Sequence, residues 1–276
     1  MGKGPGLFSD IGKQTRDILN KDYNFDHKFS ITTNTASGLA FTSTGTQKGA
    51  RFLGDVKTEL KSDNITFELK VDPNSKIFST VTVDEPAPGV KAILSFSIPD
   101  QKSGKVELQY LHPNAGINTS IGLTATPIAN FSGVIGNGNF AVGGEIAFDT
   151  ASRNLTKYDA GLSFLKPDFV TSFTLTDKCD TLKASYMHSV SPLTKTAIGA
   201  EISHSFSKNE NSFTIGMQHA LDPLTTVKTR LNNYGKAAGL IQHEWFPKSF
   251  ITFSGEVDTK ALDSSAKMGC SVVFKP

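Results

Sequence analysis

Between residues 28 and 275 the chain alternates apolar and polar residues in nineteen successive stretches, each roughly eight to eleven residues long. Ile65-Thr66-Phe67-Glu68-Leu69-Lys70-Val71-Asp72 is representative: every odd position is apolar and every even one polar or charged. In a strand, successive side chains point to opposite faces, so each stretch is a ribbon with one apolar and one wetted side. The stretches span residues 28–36, 39–47, 51–61, 64–72, 77–84, 90–98, 105–112, 116–125, 128–136 and 139–149. They continue at 156–165, 168–176, 181–190, 196–206, 211–220, 224–232, 236–246, 249–258 and 266–275. Short punctuation such as Ser37-Gly38, Gly136-Asn137-Gly138 and Asn232-Asn233-Tyr234-Gly235 separates them, as hairpins require. No long linker divides the series, which reads as one domain over 27–276 preceded by a distinct segment over 1–26.

A meander of this kind fits a soluble sandwich, a propeller or a closed membrane barrel. Strands of soluble proteins run mostly to about five or six residues, whereas barrel strands need about 9–11 to cross a bilayer at a tilt. No blade-length motif recurs, which argues against a propeller. In thirteen stretches one face carries no Asp, Glu, Lys or Arg, as in Val90/Ala92/Leu94/Phe96/Ile98 and Phe140/Val142/Gly144/Ile146/Phe148. The opposite faces are rich in Gly, Ser, Thr and Asn, as in Asn118/Ser120/Gly122/Thr124. The sequence has few of the inward charges and strand prolines with which open sheets guard their edges, and a closed barrel has no edges to guard. Apolar outside, polar inside, at ten-residue spacing, is the pattern of an all-β membrane barrel.

Phenylalanine dominates the aromatics, 20 against 5 Tyr and 1 Trp, which suits strands with much apolar surface to place. The net charge of +2 is too small for a nucleic-acid binder, and no nucleic-acid site is read. Cys179 and Cys270 are read as free thiols. The first 25 residues have no apolar core or small-residue cleavage site, so no cleavable signal or transit peptide is expected. No run of about 18 apolar residues could cross a bilayer as a helix.

Pro5–Asn20 reads as one amphipathic helix with Leu7, Phe8, Ile11, Thr15, Ile18 and Leu19 on one face and Lys13, Arg16, Asp17 and Lys21 on the other. At about four turns it needs a surface to dock on.

The N-terminal GPGLFSDIGKQTRDIL followed by KDY, the run His219-Ala220-Leu221-Asp222-Pro223 with Thr229-Arg230-Leu231-Asn232-Asn233, and Gly89-Val90-Lys91 together resemble the mitochondrial outer-membrane porins. These are the voltage-dependent anion channels, and the plant members are the most similar. The last stretch, with Lys267, Gly269, Val272 and Phe274, resembles the signal read during barrel insertion. The resemblance covers the whole chain. It implies a 19-stranded up-and-down barrel with the helix in the lumen, in the mitochondrial outer membrane. An odd number of strands forces closure through a parallel pair, so the first and last stretches should meet.

A barrel of this size leaves a water-filled pore. Lys13, Arg16 and Lys21 on the helix and Lys91, Lys228 and Arg230 on the wall are the candidate anion-selecting groups, since Lys and Arg bias a pore toward anions and phosphates. Each wall lysine could equally be a solvated group that only keeps the lumen wet. The resemblance implies weak nucleotide contact at Gly89, Val90 and Lys91. It also implies traffic of ATP, ADP, phosphate and other small metabolites, membrane lipids as surroundings, a homo-oligomer, and hexokinase and the inner-membrane nucleotide carrier as partners. No nucleophile–base set, paired carboxylates or metal cluster stands out, so neither enzymatic activity nor a cofactor or metal is expected. Two rivals are the barrel of a protein-import translocase and a soluble β-rich binding protein. Two departures from animal members are visible: Asp22-Tyr23-Asn24-Phe25-Asp26 replaces a glycine-rich hinge, and Leu69 stands where several carry a membrane-facing glutamate.

Overall fold

The computed structural model describes residues 4–35, 37–49, 51–100, 103–192, 194–261 and 266–275. Residue 36, the end of the first predicted stretch, lies outside them. Nineteen strands follow the predicted series: β1 His27–Asn34, β2 Leu39–Lys48, β3 Arg51–Ser62, β4 Ile65–Val71, β5 Ile77–Asp84, β6 Val90–Ile98 and β7 Lys105–His112. Then come β8 Ala115–Gly122, β9 Ile128–Gly136, β10 Phe140–Asp149, β11 Asn154–Leu165, β12 Phe169–Thr176 and β13 Thr181–Ser191. The series ends with β14 Thr196–Ser205, β15 Glu210–Asp222, β16 Thr225–Asn232, β17 Lys236–Phe246, β18 Ser249–Asp258 and β19 Lys267–Phe274. Each strand pairs antiparallel with the next, and the circle closes through a parallel β1–β19 pair with Lys28 opposite Ser271 and Ile31 opposite Phe274. The expected parallel closure is therefore present.

The registers fix which side chains share a face. Glu59 lies opposite Glu68, Lys57 opposite Lys70, and Glu145 opposite Asp159, all pointing inward. Followed around the circle, the outward faces of the nineteen strands are free of Asp, Glu, Lys and Arg among the described residues, save Asp222, which a bulge at the end of β15 brings opposite Thr225; this extends the thirteen charge-free faces of the sequence. The large apolar side chains are consequently on the outside, with Phe52, Ile135 and Met268 more than 70% exposed to whatever surrounds the barrel. Such a surface is stable only in lipid. A charge on it is correspondingly costly. Phe173→Arg, in the middle of β12 and facing outward, should lower unfolding free energy in liposomes by about 2–4 kcal/mol, whereas Thr174→Arg beside it, facing the lumen, should cost far less. Equal losses would mean that the two faces are assigned the wrong way round.

The N-terminal segment departs from the single helix expected over Pro5–Asn20. A 3-10 turn, η1 Phe8–Asp10, is followed by extended Ile11 and left-handed Gly12, and only then by an α-helix, α1 Lys13–Asn20. Pro5 precedes both and starts neither. Two facts hold the break at Gly12: its φ of +71°, and a position where a Cβ would stand 2.8 Å from Ser172 Oγ. The expected apolar face survives it. Ile11, Thr15, Ile18 and Leu19 are all buried, and with Val134, Ala141 and Leu240 of the wall they supply most of the barrel's interior apolar packing.

Candidate functional site

The lumen is the site, and the N-terminal segment is its main furnishing. Turn η1 packs on β8, β9 and β10, and α1 packs on β13, β14, β15 and β16. Glycines on the inner face of the wall make the berth. A Cβ at Gly116 would collide with the Gly6 carbonyl, and one at Gly269 with the Asn24 carbonyl. One at Gly216 would stand 2.8 Å from Leu19 Cδ2, and one at Gly199 would just touch Thr15 and Ile18. Gly199 and Gly216 are register partners, so the two bare positions lie side by side under the helix.

Among the helix cations, Lys13, Arg16 and Lys21 sit on the side of the segment away from the wall and are exposed to the lumen. Lys13 Nζ lies 3.3 Å from Asp10 Oδ1, and Arg16 Nη2 donates to the Ser9 carbonyl at 2.6 Å. Among the described residues, no carboxylate lies within 4.0 Å of Arg16 or Lys21. Arg16 shares a cavity of about 420 Å³ with Lys157, Lys183, Glu145, Asp159 and Glu201.

The wall cations are arranged otherwise. Lys57 bridges Glu59 and Glu68 at 3.5 and 2.8 Å, Lys70 bridges Asp55 and Asp72 at 3.7 and 3.8 Å, and Lys157 bridges Glu145 and Asp159 at 2.8 and 3.4 Å. Lys91 Nζ meets Asp84 Oδ1 at 3.0 Å. Half-exposed pairs of this kind contribute at most about 1 kcal/mol each. Their electrostatic consequence is larger: the Lys91–Asp84 pair presents a local dipole to a passing ion, and each of the other three sets two carboxylates against one ammonium, so that none offers a net positive charge. Lys228 and Arg230, predicted to line the pore, are drawn to the N-terminal segment. Lys228 Nζ lies 3.4 Å from the carbonyls of Asp17 and Lys21 and 3.2 Å from Asp22 Oδ2. Arg230 donates to the Leu19 carbonyl, Asn20 Oδ1 and Glu256 Oε2 at 3.0, 3.0 and 3.1 Å. Its guanidinium stands 4.6 Å from the centre of the Tyr23 ring. Burial pushes the Tyr23 phenol up to about 12, against a smaller opposing pull from Arg230, so the ring stays neutral there.

Gly89, Val90 and Lys91 do not form one contact surface. Gly89 holds φ of +74° where a Cβ would strike the Leu111 carbonyl, Val90 faces outward, and only Lys91 points inward. On β19, Val272 and Phe274 face outward beside Phe29 and Ile31, while Lys267 and Gly269 face the lumen. Gly269 thus has a second reason to be glycine, the passage of Asn24 and Phe25. The sequence marks Gly269 only as part of the insertion signal and Asp22 and Tyr23 only as a departure in the hinge, and gives no role to Gly116, Gly199, Gly216 or Glu256. Glycines recurring on inward-facing positions of β8, β14, β15 and β19 were the one available signal.

A sequence model described as "Eukaryotic porin" matches residues 4–269. The chain is 62% identical over 276 residues to the mitochondrial outer membrane protein porin of 36 kDa from Solanum tuberosum, covering 100% of both. It is 60% identical to the outer plastidial membrane protein porin of Pisum sativum and 58% identical to mitochondrial outer membrane protein porin 1 of Arabidopsis thaliana, again covering 100% of both chains in each case.

Proposed function

The chain belongs to the eukaryotic porin family, and from that premise we infer that it is a diffusion pore of the mitochondrial outer membrane, voltage-dependent and weakly anion-selective as is typical of the family. It is a channel and not an enzyme. One observation carries the reading: a family match over residues 4–269 on a closed barrel of nineteen strands whose outward faces, but for Asp222 at the end of β15, carry no charge. Small metabolites pass through the lumen, and lipid surrounds the wall.

The permeants are ATP, ADP, phosphate and other small anions. Arg16 and Lys21, exposed and without carboxylate partners among the described residues, carry most of the anion preference, and Lys13 adds a share reduced by Asp10. Lys91 contributes less, because Asp84 offsets it, and any nucleotide contact at the Gly89-Val90-Lys91 element rests on this one side chain. The apolar outer face would also serve a homo-oligomer. Hexokinase and the inner-membrane nucleotide carrier are partners by family kinship. Residues Lys267, Gly269, Val272 and Phe274 serve as the insertion signal, and residues 1–26 and 27–276 act as N-terminal amphipathic helix with hinge and as transmembrane barrel.

Recording from the purified protein in planar bilayers tests the function. A large conductance that falls at both voltage polarities, with a reversal potential displaced toward the anion side in a salt gradient, is required. A cation-preferring pore blocked by basic peptides would instead indicate a protein-import barrel. The plastidial name of the pea relative makes isolated plastids the control when insertion into isolated mitochondria is measured.

A further inference from the structure

We infer that Lys228 and Arg230 are a latch: positioning residues that hold the end of α1 against β16, so that breaking their contacts makes the N-terminal segment leave the wall more readily. The last four carbonyls of a helix lack intrahelical partners and carry the negative end of its dipole. In α1 no side chain of the last turn caps them among the described residues. The last turn contains no basic residue, and Lys21 leaves the helix in an extended conformation in place of a glycine cap. The barrel supplies the cap from more than 200 residues away. Lys228 and Arg230, two apart on β16, share the inward face and reach the carbonyls of Asp17, Leu19 and Lys21 and the side chains of Asn20 and Asp22.

Burial separates this role from ion selection. Lys228 is 5% exposed, so its ammonium is spent on three oxygens of the segment and offers little to a permeant. Arg230 is fixed from both sides, by Glu256 behind it and the Tyr23 ring stacked on it. The latch is balanced in charge, two cations against Asp22 and Glu256. It is also releasable. The helix has eight residues, too few to persist without the wall. Its docked face encloses the Thr15 hydroxyl, which has no hydrogen-bond partner among the described residues, and such a burial opposes docking.

This inference rests on the reading of the chain as a voltage-dependent pore, and the experiment separates the two. Lys228→Gln, Asp22→Asn and the double variant are recorded in planar bilayers beside the wild type and Arg16→Gln. The latch requires that each single variant closes at lower voltage than the wild type, and that the double variant closes no earlier than Lys228→Gln alone, because both remove one interaction. The reversal potential should move less in Lys228→Gln than in Arg16→Gln. An unchanged closing voltage in the conducting variants, or a selectivity loss in Lys228→Gln equal to that of Arg16→Gln, overturns the latch while leaving the pore reading intact. Should Lys228→Gln fail to insert, Asp22→Asn decides alone, since Asp22 lies outside the wall. A wild type that does not conduct refutes the pore reading itself.

Discussion

Replacing Lys13, Arg16 and Lys21 together by Glu should reverse the sign of the reversal potential in a salt gradient, turning a weak anion preference into a cation preference. The substitution changes three positive charges into three negative ones, six units in all, on the lumen side of a segment that narrows the pore. The wall does little to buffer the change, because within 4.0 Å Lys91 is already matched to one carboxylate and Lys57, Lys70 and Lys157 are each matched to two. At physiological salt an exposed charge is felt over about 8 Å, so groups standing out into the permeation path outweigh those laid along its edge in pairs. The effect should be unequal within the triple. Lys13 already shares its charge with Asp10, so Lys13→Glu alone acts less than Arg16→Glu. Lys21→Glu would also place a negative charge just past the end of α1, next to Asp22, and loosen the latch as well as alter selectivity. The neutral triple with Gln controls for that and should give an intermediate reversal potential. No movement in either triple would remove the helix from the conducting path.

Why the wall was legible in the sequence and the site was not follows from the range of the forces involved. Strand positions are set by period-2 alternation, which each stretch carries within itself. The predicted span 77–84 is β5, 105–112 is β7 and 249–258 is β18, to the residue. Parallel closure followed from counting strands. The helix was half legible: the spacing of Ile11, Thr15, Ile18 and Leu19 gave the buried face, but nothing local shows that Ser172 and Ser185 press on Gly12 and break the segment there. From the sequence Lys228 and Arg230 look like pore cations because their strand puts them on the inward face, which is where they are. What they meet there depends on Asp17 to Asp22, some 200 residues earlier, and no periodicity encodes that meeting. A lysine matched to a carboxylate and a lysine open to the lumen look the same on one strand. The cross-strand register separates them, and that register appears only once the circle is closed.

Gly199 offers the largest effect obtainable without touching a charge. A methyl group at this position would meet Thr15 Cγ2 at 3.5 Å and Ile18 Cβ at 3.6 Å, which is ordinary contact, and its three nearest atoms all belong to side chains of the helix. Gly199→Ala should therefore leave the helix seated. Gly199→Leu adds three further carbons where Thr15 and Leu19 are each 1% exposed and Ile18 is 6% exposed, so the helix has to lift. Ile18 and Leu19 buried against the wall are worth roughly 1.5–3 kcal/mol each, and losing even one of these contributions makes opening about tenfold to a hundredfold easier. An eight-residue helix has no reserve of its own against such a loss. Amide hydrogen exchange over residues 13–20 should accelerate by that factor in Gly199→Leu, with the β12–β17 amides unchanged and Gly199→Ala close to wild type. Gly216 is not the better choice, because a Cβ there would also press within 2.7 Å of the Thr229 carbonyl of the barrel and confuse undocking with damage to the wall. If Leu at 199 leaves the exchange of α1 unaltered, the helix is not seated on β14. If Ala and Leu accelerate it equally, lost backbone freedom at the glycine is responsible, and contact with Thr15 and Ile18 is not.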